Sequence, residues 1–148
     1  MAVPDVNGRN GAMIHGLLWL PLLAVFVLLA ALGWIERRRQ HLFREWASGA
    51  ELAKLDGCGA ARLVDGELSW SRFVAGSFQP EGCFTIKRLE MVELLSLSSG
   101  EAPLTEESEG ACRLRLVGCG QQDDLPFADA RRARLWMDEL MARSRCEL

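Results

Sequence analysis

The chain has 148 residues, 49% of them hydrophobic and 25% charged, with a formal net charge of -3 and a pI near 5.4. Such a length holds one small domain and an appendage. The composition excludes a disordered tail, a collagen-like repeat, a disulfide-dense scaffold and a strongly basic binder of nucleic acid.

Residues 1–12 form a short tail, and from Ala12 to Ile35 there is no Asp, Glu, Lys or Arg. The twenty positions Gly16–Ile35 would make a helix of about 30 Å, the thickness of a bilayer's hydrocarbon core. Twelve of them are Leu, Ile, Val or Phe. At about -0.3 to -0.6 kcal/mol each, they favour insertion by roughly 4 to 7 kcal/mol. Pro21 sits near the start of the run, where it costs least, and Trp19 and Trp34 lie near its ends, as interfacial aromatics do. The sequence therefore predicts a transmembrane helix over 13–35, with the lipid bilayer as its partner.

Orientation follows from the flanking basic residues. Only Arg9 precedes the span, whereas Arg37, Arg38 and Arg39 follow it in a row, and Arg44 comes soon after. Lys and Arg near a span are retained on the cytoplasmic side, so the expected topology is a single pass through a bacterial inner or other cytoplasm-facing membrane. The amino terminus would be outside and the body of the chain cytoplasmic. Ala31-Leu32-Gly33 loosely imitates a signal-peptidase site. The length of the apolar run, the poorly charged amino-terminal region and the three arginines oppose that alternative.

From Glu36 to about Leu55 the spacing of Leu42, Phe43, Trp46, Ala50 and Ala53 predicts an amphipathic juxtamembrane helix, assigned to 36–56. Its apolar face would lie on the headgroup layer, on the following domain or on another subunit. Asp56-Gly57-Cys58-Gly59 forms turn-prone punctuation that marks a boundary, leaving 57–148 for one modest core.

Within that region, Ala61–Val64, Asp65-Gly66 and Glu67–Phe73 read as a hairpin, since an Asp-Gly pair supplies the two positive-φ residues of a tight turn. Alternation puts Leu68, Trp70 and Arg72 on one face and Ser69, Ser71 and Phe73 on the other, so Leu63, Leu68 and Trp70 should point inward. Further strands are expected at Cys83–Leu89, Met91–Leu97, Ala111–Val117 and Gln121–Phe127. In the third of these, Cys112, Leu114 and Leu116 share a face opposite Arg113 and Arg115. The polar stretch Ser98–Gly110 reads as a surface loop. Ala133, Trp136, Met137, Leu140 and Met141 then recur at helical spacing, predicting an amphipathic helix of about 16 residues from near Asp129.

A meander of strands followed by one closing helix, with Phe127 ending the last strand and Trp136 and Leu140 on the helix, resembles the pleckstrin-homology-like superfold over about Ala60–Arg145. The resemblance implies an α+β domain. It is a small antiparallel β sandwich or barrel closed by a carboxyl-terminal α-helix, with the helix tryptophan capping one open end. It also implies a binding module. The lipid-binding members it resembles carry a basic first hairpin, whereas this chain has Val64-Asp65-Gly66-Glu67. From Gly57 onward 11 Lys and Arg stand against 15 Asp and Glu, a net of -4, which disfavours anionic headgroups.

No constellation for catalysis stands out. The five cysteines, Cys58, Cys83, Cys112, Cys119 and Cys146, include no C-x-x-C pair, and His15 and His41 are the two histidines. Neither a metal site nor a cofactor site is expected, nor a small-molecule substrate. The odd, scattered cysteines fit a reducing compartment. Fifteen arginines against two lysines fit a GC-rich bacterial genome. These features point to a membrane-anchored, non-enzymatic interaction module, an accessory, scaffold or assembly subunit of a membrane complex. The alternatives are a lipid-responsive sensor at the membrane surface and a thiol-dependent enzyme using Cys58 or Cys119.

Overall fold

The computed structural model describes residues 8–97 and 110–146, with side chains from Trp19 to Leu97 and from Gly110 to Arg145. The predicted loop Ser98–Gly110 thus lies, but for its last residue, outside the described residues, as does the tail before Gly8. The chain divides between His41 and Leu42 into two compact units.

The first unit is helical. Helix α1 spans Gly8–Trp46 with Pro21 inside it, and within Trp19–Trp46 an 18-residue run with a mean hydropathy of 2.0 is long and apolar enough to cross a membrane. Its large apolar side chains are exposed on every side of the helix, from Leu22 at 44% to Trp19 at 67%. In water that surface would be strongly unfavourable; lipid is the solvent it suits.

Where the spacing predicts helix to about Leu55, the structure ends α1 at Trp46. The Ala47 amide still donates to the Phe43 carbonyl, at 2.7 Å, but Gly49 adopts φ +78° and turns the chain away. The next residues form strand β1, Leu52–Asp56, paired antiparallel with β2, Gly59–Val64. Asp56-Gly57-Cys58-Gly59 is therefore the turn of a first hairpin, not a boundary ahead of the domain. The helical spacing of Ala50 and Ala53 is overridden by two-residue alternation, in which Leu52 and Lys54 face inward opposite Leu63 and Ala61.

The second hairpin forms as its turn residues require. Asp65 and Gly66 have φ +50° and +76°, and β3, Glu67–Val74, pairs with β2 so that Leu63 meets Leu68. Strand β4 runs Ser77–Thr85, earlier than the expected Cys83–Leu89. Ile86–Arg88 is instead a short 3-10 turn. The β3–β4 ladder carries a bulge at Glu81, with Trp70 opposite Gly82 and Ser71 opposite Pro80. Gly82 is obligatory there, because a Cβ would sit 2.3 Å from the Trp70 ring.

Strands β5 (Met91–Ser96), β6 (Cys112–Gly118) and β7 (Gln121–Phe127) make a second antiparallel sheet, separate from the sheet β1-β2-β3-β4. Helix α2, Ala130–Cys146, follows. Asp129 caps it, its carboxylate accepting the Arg131 amide at 3.0 Å. The architecture is α+β: a long apolar helix, two antiparallel sheets that do not close into a barrel, and a carboxyl-terminal helix. Leu63, Leu68, Trp70, Leu114, Leu116, Phe127, Trp136 and Leu140 are all buried in one cluster with Phe84, Ile86 and Leu125. Trp136 meets Phe127 edge-on, ring centroids 5.7 Å apart.

Candidate functional site

The basic residues that follow the apolar stretch lie along α1. Arg37, Arg38 and Arg44 are exposed and Arg39 half-buried. Arg38 lies 5.5 Å from the centroid of the Trp34 ring, and Arg39 is 3.6 Å from Glu36. Their side chains are long enough to reach a headgroup layer from a helix backbone.

Two features of the strand unit escape a sequence reading. The first is an aromatic cluster on the outer face of the first sheet. Trp46 stacks on Phe78 at 5.7 Å, Phe43 lies 6.4 Å from Phe78, and Phe73 meets it edge-on at 5.1 Å. The Arg62 guanidinium sits 4.5 Å from the Trp46 ring centroid and donates to the Trp46 carbonyl. An arginine from β2 thus satisfies a carbonyl at the end of α1. The last turn of α1, from Leu42, packs with the strands, so the folding unit starts ahead of β1.

The second feature is Lys54. Its side chain is only 2% exposed, and its ammonium points into the gap between the two sheets. There it bonds Asp56 Oδ2 at 3.0 Å, donates to the Pro126 carbonyl of β7, and lies 4.0 Å from the Phe127 ring centroid. Asp56 turns the same carboxylate to both sheets. Its Oδ2 accepts the Ala128 amide at 3.2 Å, and its Oδ1 accepts the Cys58 amide at 2.8 Å. Burial pulls the Lys54 pKa down, while Asp56 acts to raise it. The ammonium's desolvation penalty is carried in full below the lowered pKa and is relieved as pH rises through it.

A signal for this pair exists in the sequence: Asp56-Gly57 repeats the Asp-Gly punctuation of Asp65-Gly66, and a hairpin there makes Leu52-x-Lys54 an inward pair. Helical spacing through Ala50 and Ala53 obscures it.

The arrangement is a clamp between the two sheets. The crevice lined by Lys54, Cys58, Trp70, Ser71, Leu125 and Pro126 has no room for a water molecule. The thiols are scattered. Cys83 and Cys119 are exposed, Cys58 is half-buried, and Cys112 is buried, with its thiol pushed up to about 11 by burial and then by the Asp129 carboxylate. Among the described residues no group of three or more His, Cys, Asp or Glu is placed to hold a metal ion. Arg113 and Arg115, on the outer face of β6, share Asp124 at 3.5 and 2.9 Å.

Residues 51–148 match the family model described as the cyanobacterial PH domain. No curated protein and no solved structure matches the chain. The matched segment begins at the residue before β1 and so includes all seven strands and α2, but not the helical turn that packs on Phe78.

Proposed function

The chain belongs to the cyanobacterial PH domain family, and from that premise we propose that it is a single-pass membrane protein whose PH-like domain binds another protein on the cytoplasmic side. It serves as an accessory, scaffold or assembly subunit of a membrane complex and carries out no reaction itself. The observation that carries this reading is the all-round exposure of the apolar side chains of α1 ahead of a PH-like domain. PH-like domains are typically interaction modules. The net charge of -4 from Gly57 onward favours a protein partner over an anionic lipid surface. Tethering in a membrane raises the effective concentration of membrane neighbours, so a weak docking face suffices.

Orientation rests on the same basic residues, with Arg37, Arg38, Arg39 and Arg44 on the cytoplasmic side. A tag at the carboxyl terminus is expected to resist protease in intact cells and to be digested once the membrane is opened; digestion in intact cells overturns the topology. Crosslinking in native membranes, followed by purification in mild detergent, is expected to yield one discrete heteromeric adduct. A lone monomer across crosslinkers overturns the accessory role. Flotation of the chain with liposomes whose anionic content is varied separates the lipid-sensor alternative, which requires binding that rises with anionic lipid and falls with salt.

A further inference from the structure

The two sheets share no ladder between β1 and β7, yet side chains join these edge strands. Lys54 on β1 reaches the Pro126 carbonyl and the face of Phe127 on β7, and Asp56 on β1 takes the amide of Ala128, the residue before the cap of α2. We propose that Lys54 and Asp56 form a charged latch across the β1–β7 seam, and that its release opens the sandwich there while both sheets stay folded.

Three observations support a latch over ordinary packing. A buried ammonium is a costly way to fill space, since an apolar side chain of similar volume is often as stabilising or more so. The ion pair is thus more than a filling of the seam. Secondly, the contacts that Lys54 and Asp56 make with Pro126, Phe127 and Ala128 run through that charge pair. Around the ammonium stand the Asp56 carboxylate, the Cys58 thiol in the β1–β2 turn and, from α2, Arg132, whose like charge opposes it. Asp56 is the carboxylate that holds it. Thirdly, the crevice beneath runs between Trp70 and Ser71 of one sheet and Leu125 and Pro126 of the other. Parting the seam there exposes apolar surface of both sheets without breaking a strand pair. A closed state and an open state of this kind share the same strand pairs.

Cys112 reports on the opening, because it is fully buried and paired in register with Phe127, whose ring lies under Lys54. Cys83, exposed on the far edge strand β4, is the internal control. The full chain in detergent is alkylated with N-ethylmaleimide at one fixed pH, and each cysteine is followed by peptide mass. Asp56→Asn leaves the ammonium without its anion and is expected to speed labelling of Cys112 at least tenfold, with Cys83 unchanged and the far-ultraviolet dichroism intact. Lys54→Met removes the latch's cation and is expected to speed labelling of Cys112 as well, with Cys83 again unchanged. Unchanged Cys112 labelling in either variant overturns the latch, as does acceleration of Cys83 together with Cys112.

Should Asp56→Asn not fold, Lys54→Met decides by the same readout, and unchanged Cys112 labelling there overturns the proposal.

Discussion

The two helices use the same large apolar residues to opposite ends. In α1, Trp19 and Trp34 are 67% and 62% exposed; in α2, Trp136 is 4% exposed. The difference lies in periodicity. Helix α1 is apolar around its whole circumference through the Trp19–Ile35 stretch, so no single protein face would cover it. Helix α2 interleaves Arg131, Arg132, Asp138 and Glu139 with Ala133, Trp136 and Leu140, so one stripe is buried and the rest is wet. An apolar helix is thus read by what surrounds its apolar positions, not by their number.

That contrast breaks most visibly at Trp136. Trp136→Ala removes the ring that meets Phe127 and is expected to cost the strand unit about 3–5 kcal/mol, measured by denaturant titration of the full chain in detergent. Trp34→Ala in α1 is expected to leave the same midpoint within about 0.5 kcal/mol.

The opposite experiment puts charge into each helix. Val25→Arg with Leu28→Arg in α1 is expected to oppose insertion by roughly 6 kcal/mol, seen as a loss of the carbonate-resistant membrane fraction. A chain that stays fully membrane-integrated would remove the solvent argument for α1. A smaller effect falls at the α2 cap. Asp129→Ala removes the carboxylate that accepts the Arg131 amide and is expected to cost about 1 kcal/mol, read as a lower midpoint with an unchanged denaturant slope. Leu135 stands 63% exposed on α2, and Leu135→Arg is expected to shift stability by less than about 0.5 kcal/mol. A loss above 2 kcal/mol at Leu135 would show that this face of α2 is covered, and so that the comparison between the helices is wrong.

Legibility followed the strength of local signals. The Asp65-Gly66 hairpin, the alternation of Cys112, Leu114 and Leu116, and the stripe through Trp136 and Leu140 are each complete within a few residues, and each stands in the structure where expected. Strand β4 was harder to read because Pro80, Gly82 and the bulge at Glu81 interrupt its alternation. The end of α1 is not legible locally, because Ala50 and Ala53 continue a helical spacing across Gly49, whose φ of +78° turns the chain. The Lys54 clamp depends on a partner 72 residues away, Pro126, which no local pattern registers.

Periodicity and charge alone determined the apolar span, its arginine flank and the amphipathic closing helix, because each depends on which residues recur along one short segment. Only the tertiary structure decided that the last turn of α1 packs with the strands and that Lys54 is buried against β7. Both outcomes come from contacts between distant segments, where the energy of burying Trp46 on Phe78, or of pairing an ammonium with Asp56, outweighs the weak local preference of the residues involved.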